Sequence, residues 1–318
     1  MLRYWPILAV VAALLPFASS SQFLVNLAML TAFSALLGQG WNIACGFGGL
    51  TSFGHAVFFG IGAYAVAIMQ TRFGINPWLG LPAAAILGAA AGAVLGAAAF
   101  RAGLRGSYFA LVTLAFAEVF RILANSLDIT KGGLGILIPL HPSLPNFQFA
   151  DRRGAYALVL VLLAVAMGIA AWLRRSRFGA RLVAVRENED AAAALGIPLV
   201  RTKTQALALS GAVTATAGVL YAQMFLYVDP NIAFGAERSV EMLLVAMIGG
   251  AGTVWGPVLG AIVLHLIQDT ARMLIDTPGF APMLYGAILL AIIAFLPNGI
   301  AGLRLPRRRS AREEVRRA

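Results

Sequence analysis

The sequence predicts an all-α, polytopic transmembrane helical bundle of about ten spans, and three observations predict it. Composition is the first: 60% of residues are hydrophobic and 12% charged, with a mean hydropathy of +0.84, where soluble domains carry about 25% charged residues. The second is that the apolar runs are continuous and rich in Ala, Leu, Gly and Val. Barrel strands would alternate in short segments, whereas packed membrane helices have this continuous texture. The third is that Lys and Arg gather between and beyond the runs, as the positive-inside rule expects of cytoplasmic segments.

The same numbers exclude several function classes. A net charge of +11 could suggest nucleic acid, but the basic residues fall where membrane topology already explains them. Cys45 is the single cysteine, which excludes an internal disulfide. With three His in the chain, the soft ligands of a structural metal site are too few.

Taken in order, Arg3, the apolar run 6–17 and the small residues 18–21 have the parts of a signal peptide. The next apolar run begins at once at Phe23, so a retained first span is expected. Further spans are expected over 22–45, 47–70, 78–100, 107–124 and 155–173, then 204–228, 239–250, 253–268 and 280–297. The pair within 239–268 is shorter than the roughly 20 residues a span needs, so a short, broken or re-entrant pair is expected there. Between 125 and 154, the segment Thr130-Lys131-Gly132-Gly133 and several prolines predict an ordered, irregular outer cap.

The segment 174–203 is the long hydrophilic stretch inside this oily chain. It holds Arg174, Arg175, Arg177, Arg181, Arg186, Arg201 and Lys203, which places it in the cytoplasm. Span parity then puts both termini inside, in agreement with the arginines of the tail. This divides the chain into an N-terminal membrane half (1–173), a cytoplasmic loop (174–203), a C-terminal membrane half (204–303) and a basic tail (304–318). Within the loop, Asn188 is an N-cap residue, Glu189 and Asp190 are first-turn acids, and Ala191, Ala192, Ala193, Ala194 and Leu195 continue a short helix that Gly196 and Pro198 stop. Two turns are marginal in water, so this helix is expected to dock. Its alanines offer a face that a partner's backbone can approach closely, and a bulky residue at Ala192 or Ala193 is expected to hold such a partner away.

Gly49-Leu50-Thr51-Ser52-Phe53-Gly54-His55 opens the third span, and Gly250-Ala251-Gly252-Thr253-Val254-Trp255-Gly256 opens the ninth. The two read alike and hint at a parallel internal repeat. Glycines there either pack helices tightly or permit broken helices whose free N–H groups face a polar solute. Glu118 and Arg121 sit three apart on one span and can pair on one face. Ser52, Phe53, Gly54, His55, Glu118, Trp255 and Gly256 are therefore candidate residues of a translocation path. No nucleophile, base and orienter emerge: Ser52 and His55 share a helix turn with no third group beside them in sequence.

These residues resemble the permease subunits of branched-chain amino acid ABC importers, of the LivM-like kind. The resemblance is carried by GLTSFGHAVFFGIGAY (49–64), TLAFAEVFR (113–121), RFGARLVAVRENEDAAAALGI (177–197), GGAGTVWGPVLGA (249–261) and LPNGIAGL (296–303). It implies a bacterial inner-membrane subunit that binds no cofactor itself, while separate ATPase subunits bind ATP and Mg. It also implies a second homologous permease, two cytoplasmic ATPase subunits and a periplasmic solute-binding protein as partners, within membrane lipid. The loop would hold the coupling helix, with Arg186, Glu187, Asn188, Glu189, Asp190, Ala191, Ala192, Ala193, Leu195 and Gly196 at the ATPase contact.

Three alternatives are weighed against this reading. Urea and other small-solute permeases look similar, so the mechanism is more specific than the solute. An ion-coupled secondary transporter would need membrane carboxylates, for which Glu118 and Glu241 are the candidates. An intramembrane enzyme lacks a catalytic set.

Overall fold

Why particular runs become helices is clearest where they stop. The computed structural model describes residues 16–17, 21–149, 151–274, 286–287 and 299–302. Among these, six helical segments are long and apolar enough to cross a membrane. They are α1 (Gln22–Trp41, continued by a π-helical turn Asn42–Gly46), α2 (Ala56–Phe73), α3 (Gly80–Arg101), α4 (Gly106–Ser126), α5 (Arg152–Arg175) and α8 (Leu199–Phe225). Between α5 and α8 lie α6 (Arg177–Glu187) and α7 (Glu189–Ala194). After α8 come the short α9 (Pro230–Phe234), then α10 (Ala236–Gly249) and α11 (Gly256–Leu274). Of the first expected span only 16–17 are described, and the tenth and the basic tail fall largely outside the described residues.

Among the boundaries that differ from the sequence reading, three bear on the site. The third span does not begin at 47: residues 47–55 leave the helix, and α2 starts at Ala56. Gly49 at φ +68° breaks the ladder in the left-handed region that favours glycine. Hydrophilic 174–203 is not a loop with one short helix. It contains the 11-residue α6, and α8 already begins at Leu199. Lys203, expected in water, is 4% exposed, because its ammonium lies over the Phe100 ring, 5.2 Å from the centroid, and meets Glu189.

α8 is the axis of the bundle. It packs along α3 and α2 and also touches α1. Small residues set the closeness of that seam: a Cβ added at Gly211 would lie 2.4 Å from the Gly88 carbonyl oxygen, and one at Gly218 2.1 Å from that of Phe59. Backbone meets backbone there, which is how helices gain dispersion energy when lipid tails already satisfy apolar side chains. The result is a single hydrophobic cluster that draws on both sides of the hydrophilic segment.

The connections gather at two ends. At one end lie 47–55, 102–105, 176–198 and 250–255, joined through Arg105 and Arg186. At the other, Trp78 Nε1–H donates to Leu144 O at 2.7 Å, and β1 (Ile136–Leu137) pairs antiparallel with β2 (Tyr227–Val228). The expected irregular cap is therefore ordered: Thr130 closes a turn onto Ala124 O, and Gln148 Nε2–H donates to Pro139 O.

Candidate coupling junction and transport path

The hydrophilic segment folds from its own capping chemistry. Ser176 Oγ accepts the Gly179 N–H at 3.0 Å and starts α6, while an added Cβ at Gly179 would lie 1.7 Å from Leu173 O, which makes the α5 to α6 corner tight. Leu182 and Val185 turn inward. Asn188 then caps α7, its Oδ1 accepting the Ala191 N–H at 2.9 Å, and Gly196 at φ +79° ends it. On this short helix Ala192 is 2% exposed, so it faces the chain's own core. That corrects the expectation that Ala192 lies on the free alanine face. Ala191, Ala193 and Gly196 are exposed, and Leu195 is 80% exposed.

Charge pins α7 down. Glu189 meets Lys203 and, at 3.0 Å, Arg105, and Asp190 meets Arg105 at 3.0 Å. The hydrogen bond that Arg105 donates to Asp190, with Glu189 beside it, raises the guanidinium above its ordinary value. The carboxylate of Glu189 is thus committed to cations of its own chain. Arg105 lies between α3 and α4, so the acidic first turn of α7 is tied to that connection and to α8.

Arg186 reaches further into the molecule. Its Nη1–H donates to Gly46 O at 3.0 Å, while Nη2–H meets Glu187 Oε1 at 2.7 Å. A Cβ added at Gly49 would lie 2.5 Å from Arg186 Cγ, and one at Gly252 2.9 Å from Nη1. One arginine therefore fills the space that glycines leave in both broken-helix segments. Those segments are held by the end of α1. Asn42 accepts the Gly252 N–H at 2.7 Å and donates to Thr253 O at 2.9 Å, Gln39 donates to Val254 O at 2.6 Å, and Trp41 Nε1–H donates to Ser52 O at 2.9 Å. Gly299, from the last described residues, also abuts this point: its added Cβ would lie 2.5 Å from Gly250 N.

Ser52 and His55 gain a third group that sequence proximity could not supply. His55 contacts Ser52 Oγ at 3.0 Å and Ser210 Oγ at 2.8 Å, and Ser210 donates to Gly40 O at 2.6 Å. Ser210 has spent its proton, so it accepts from His55 Nε2–H. Nδ1 then accepts from Ser52, whose oxygen takes the Gly54 N–H at 3.3 Å. Every donor and acceptor is used, with both Ser52 and His55 buried. Such a closed, neutral chain rigidifies the start of α2 and leaves no free nucleophile. Gly54 is packed too, since its added Cβ would fall 2.2 Å from Thr113 O. Thr253 opens α11 in a similar way, accepting the Gly256 N–H at 2.9 Å, while Phe53 and Trp255 are partly exposed.

Glu118 lies elsewhere, on the exposed side of α4. Its Oε2 accepts from Arg121 Nε–H at 2.9 Å, and Arg121 Nη1–H donates to Asn231 at 2.6 Å. Large apolar neighbours on the same helix, among them Leu111, Val119 and Ile122, are also exposed. The other membrane carboxylate, Glu241, is part-buried: it accepts from Arg238 at 2.7 Å and from Ser34 at 2.8 Å, and His265 Nε2 lies 3.0 Å from Ser34 Oγ. Arg238 sits 5.2 Å over the Phe59 ring. Reasoning from sequence missed Gln39, Asn42, Arg105, Ser210 and Arg238. The i, i+3 spacing of Gln39 and Asn42 inside an apolar span was a usable signal.

Residues 23–293 match a family described as the branched-chain amino acid transport system / permease component. The chain belongs to this family. Among its relatives, the high-affinity branched-chain amino acid transport system permease protein LivM of Escherichia coli is 31% identical, covering 94% of this chain and 74% of that protein. The LivH permease of the same system in Escherichia coli is 25% identical, over 84% of this chain and 91% of its own length. The L-arabinose ABC transporter permease protein AraH of Azospirillum brasilense is 32% identical over 58% of this chain and 55% of its own. No solved structure matches. This protein is a multi-pass permease subunit of an ABC importer and is not an enzyme.

Proposed function

We propose that this permease carries branched-chain or chemically related amino acids, and that segment 176–198 docks cytoplasmic ATPase subunits and passes their motion inward. The observation that carries the reading is the position of Arg186. It stands on the segment that would meet the ATPase, yet its side chain occupies both helix breaks, at Gly49 and Gly252. A displacement of α6 and α7 then reaches two discontinuous helices at once, and discontinuous helices are where transporters expose backbone groups to solute. The exposed face of α7, with Ala193 and Leu195, is left for the ATPase, with ATP and Mg held on those subunits. Orientation follows the charges, with this end in the cytoplasm and the 125–154 cap facing a solute-binding protein.

The second permease covers α4 in this reading. An ion pair such as Glu118 with Arg121 is costly against hydrocarbon, so a partner helix or a watery path must meet it. Glu118, Phe53 and Trp255 border that path, while buried Ser52, Gly54, His55 and Gly256 hold its walls. The L-arabinose name among the relatives favours testing a sugar beside the amino acids.

The test is ATP-dependent uptake into proteoliposomes holding the co-purified subunits, with leucine, isoleucine, valine and arabinose offered separately. Uptake of the amino acids alone supports the reading. Orientation is checked by an Asp190→Cys substitution in a Cys45→Ser background: labelling by an impermeant reagent from outside sealed cells refutes the cytoplasmic assignment.

A further inference from the structure

At the foot of α5, α6 and α8, a cavity of about 420 Å³ is lined by Trp172, Phe178, Arg181, Arg201, Thr202 and Gln205. Trp172 and Phe178 form one wall, their ring centroids 6.3 Å apart. Arg181 and Arg201 are exposed, and neither has an ion-pair or hydrogen-bond partner among the described residues. A second cavity of about 500 Å³ continues around the start of α8, sharing Arg201 and Gln205 and adding Arg101. These guanidiniums line adjoining cavities with no acid paired to them among the described residues, so the complement is an anion able to accept forked hydrogen bonds, which a phosphate does well.

The level of the cavity in the molecule narrows the source of that anion. Trp172 is 55% exposed and stands just before the end of a 24-residue apolar helix, ahead of Arg174 and Arg175. A Trp followed by arginines at a span's end marks the headgroup layer. Beyond the cavity, toward the apolar middle of α8, a stripe of Ala208, Leu209, Ala212 and Thr216 is only part-buried. The Thr216 hydroxyl donates back to Val213 O at 2.7 Å, so the stripe presents an apolar surface. Guanidiniums below and apolar surface above match a molecule with an anionic head and a hydrocarbon tail.

We propose that this cavity is a binding site for an anionic phospholipid, its phosphate held by Arg181 and Arg201 and its glycerol end against Trp172 and Gln205. The site joins the last turn of α5 to α6 and the first turn of α8, the elements that frame the hydrophilic segment. A bound lipid would brace the base from which α7 projects.

The test uses the full chain in phosphatidylcholine vesicles with brominated phosphatidylglycerol or brominated phosphatidylcholine as quencher. Trp172 fluorescence is isolated as the difference between wild type and Trp172→Phe. The expected result is preferential quenching by the anionic lipid, with relative association on the order of tenfold. The preference should vanish in Arg181→Gln/Arg201→Gln and survive in Arg174→Gln/Arg177→Gln, which removes equal charge outside the cavity. Equal quenching by the two lipids overturns the proposal, as does equal loss in both double variants. If millimolar inorganic phosphate abolishes the preference, the site takes a soluble anion and the lipid assignment fails. If added ATPase subunits abolish it, an acidic protein surface is the occupant and the assignment also fails. Should the Gln variant lose folded yield, the wild-type comparison of the two lipids decides alone.

Discussion

Glycine is used in opposite ways along the α8 seam and at the Arg186 junction. In the seam, Gly88, Gly211 and Gly218 sit inside helices and let one backbone touch another, with an added Cβ meeting carbonyl oxygens. At the junction, Gly49 and Gly252 lie outside helices at φ +68° and +78°, and the room they leave is taken by a guanidinium arm from another segment. The first arrangement locks helices together through dispersion and has no adjustable part. The second couples a polar side chain to two loops and can move with the segment that carries it. One residue type therefore builds both the frame and the junction proposed to transmit motion.

The largest effect expected from breaking this contrast is in the seam. Gly211→Leu forces α8 from α3, because the Gly88 carbonyl leaves no space, and overpacking of this kind costs about 1–3 kcal/mol or more. Folded, monodisperse protein recovered from membranes should fall roughly tenfold. A normal yield would show that the seam is not the frame.

Next in size is the junction itself. Arg186→Ala empties the space between the two breaks but removes no helix contact of the seam. Folded yield should stay near wild type, while solute-stimulated ATP hydrolysis in the reconstituted complex falls several-fold, and Arg186→Lys should recover only part of it because a lysine cannot reproduce the forked contacts. Equal coupling in Arg186→Ala and wild type would reduce the arginine to packing.

Much of the frame was legible in the sequence, and the junction was not. Six spans could be read because hydropathy and span length are local properties, and α7 could be read because Asn188, Gly196 and Pro198 are local stop and start signals. The likeness of the two glycine segments was also visible. What brings them together is Arg186 meeting Gly46 and Gly252 across long stretches of chain, and a positive charge on a hydrophilic segment reads as solvated or topological. Lys203 misled for the same reason, since its burial depends on Phe100 and Glu189 arriving from elsewhere. The start of α2 was misplaced because residues 47–55 are apolar enough to pass for helix, and only the backbone turn at Gly49 reveals the break.

The smallest expected effect is at Glu118. Arg121 keeps its hydrogen bond to Asn231 when the carboxylate is replaced, so Glu118→Gln should lower folded yield only modestly. Uptake should persist when the proton gradient is collapsed at constant ATP. Uptake that stops with the gradient while ATP remains would move the driving force from the junction to this carboxylate.

Two neighbouring alanines give the most direct test of transmission through α7. Ala192 faces the chain's own core and Ala193 faces out, so Ala192→Trp should disturb the segment's own packing, whereas Ala193→Trp should touch only a docked partner. The deciding measurement is ATPase retention and solute-stimulated hydrolysis by the reconstituted complex carrying Ala193→Trp. The expected result is normal membrane insertion and normal pairing with the second permease, with ATPase retention reduced roughly tenfold, as steric overpacking of a fitted contact requires. Full retention of both ATPases with transport at the wild-type rate would contradict the account.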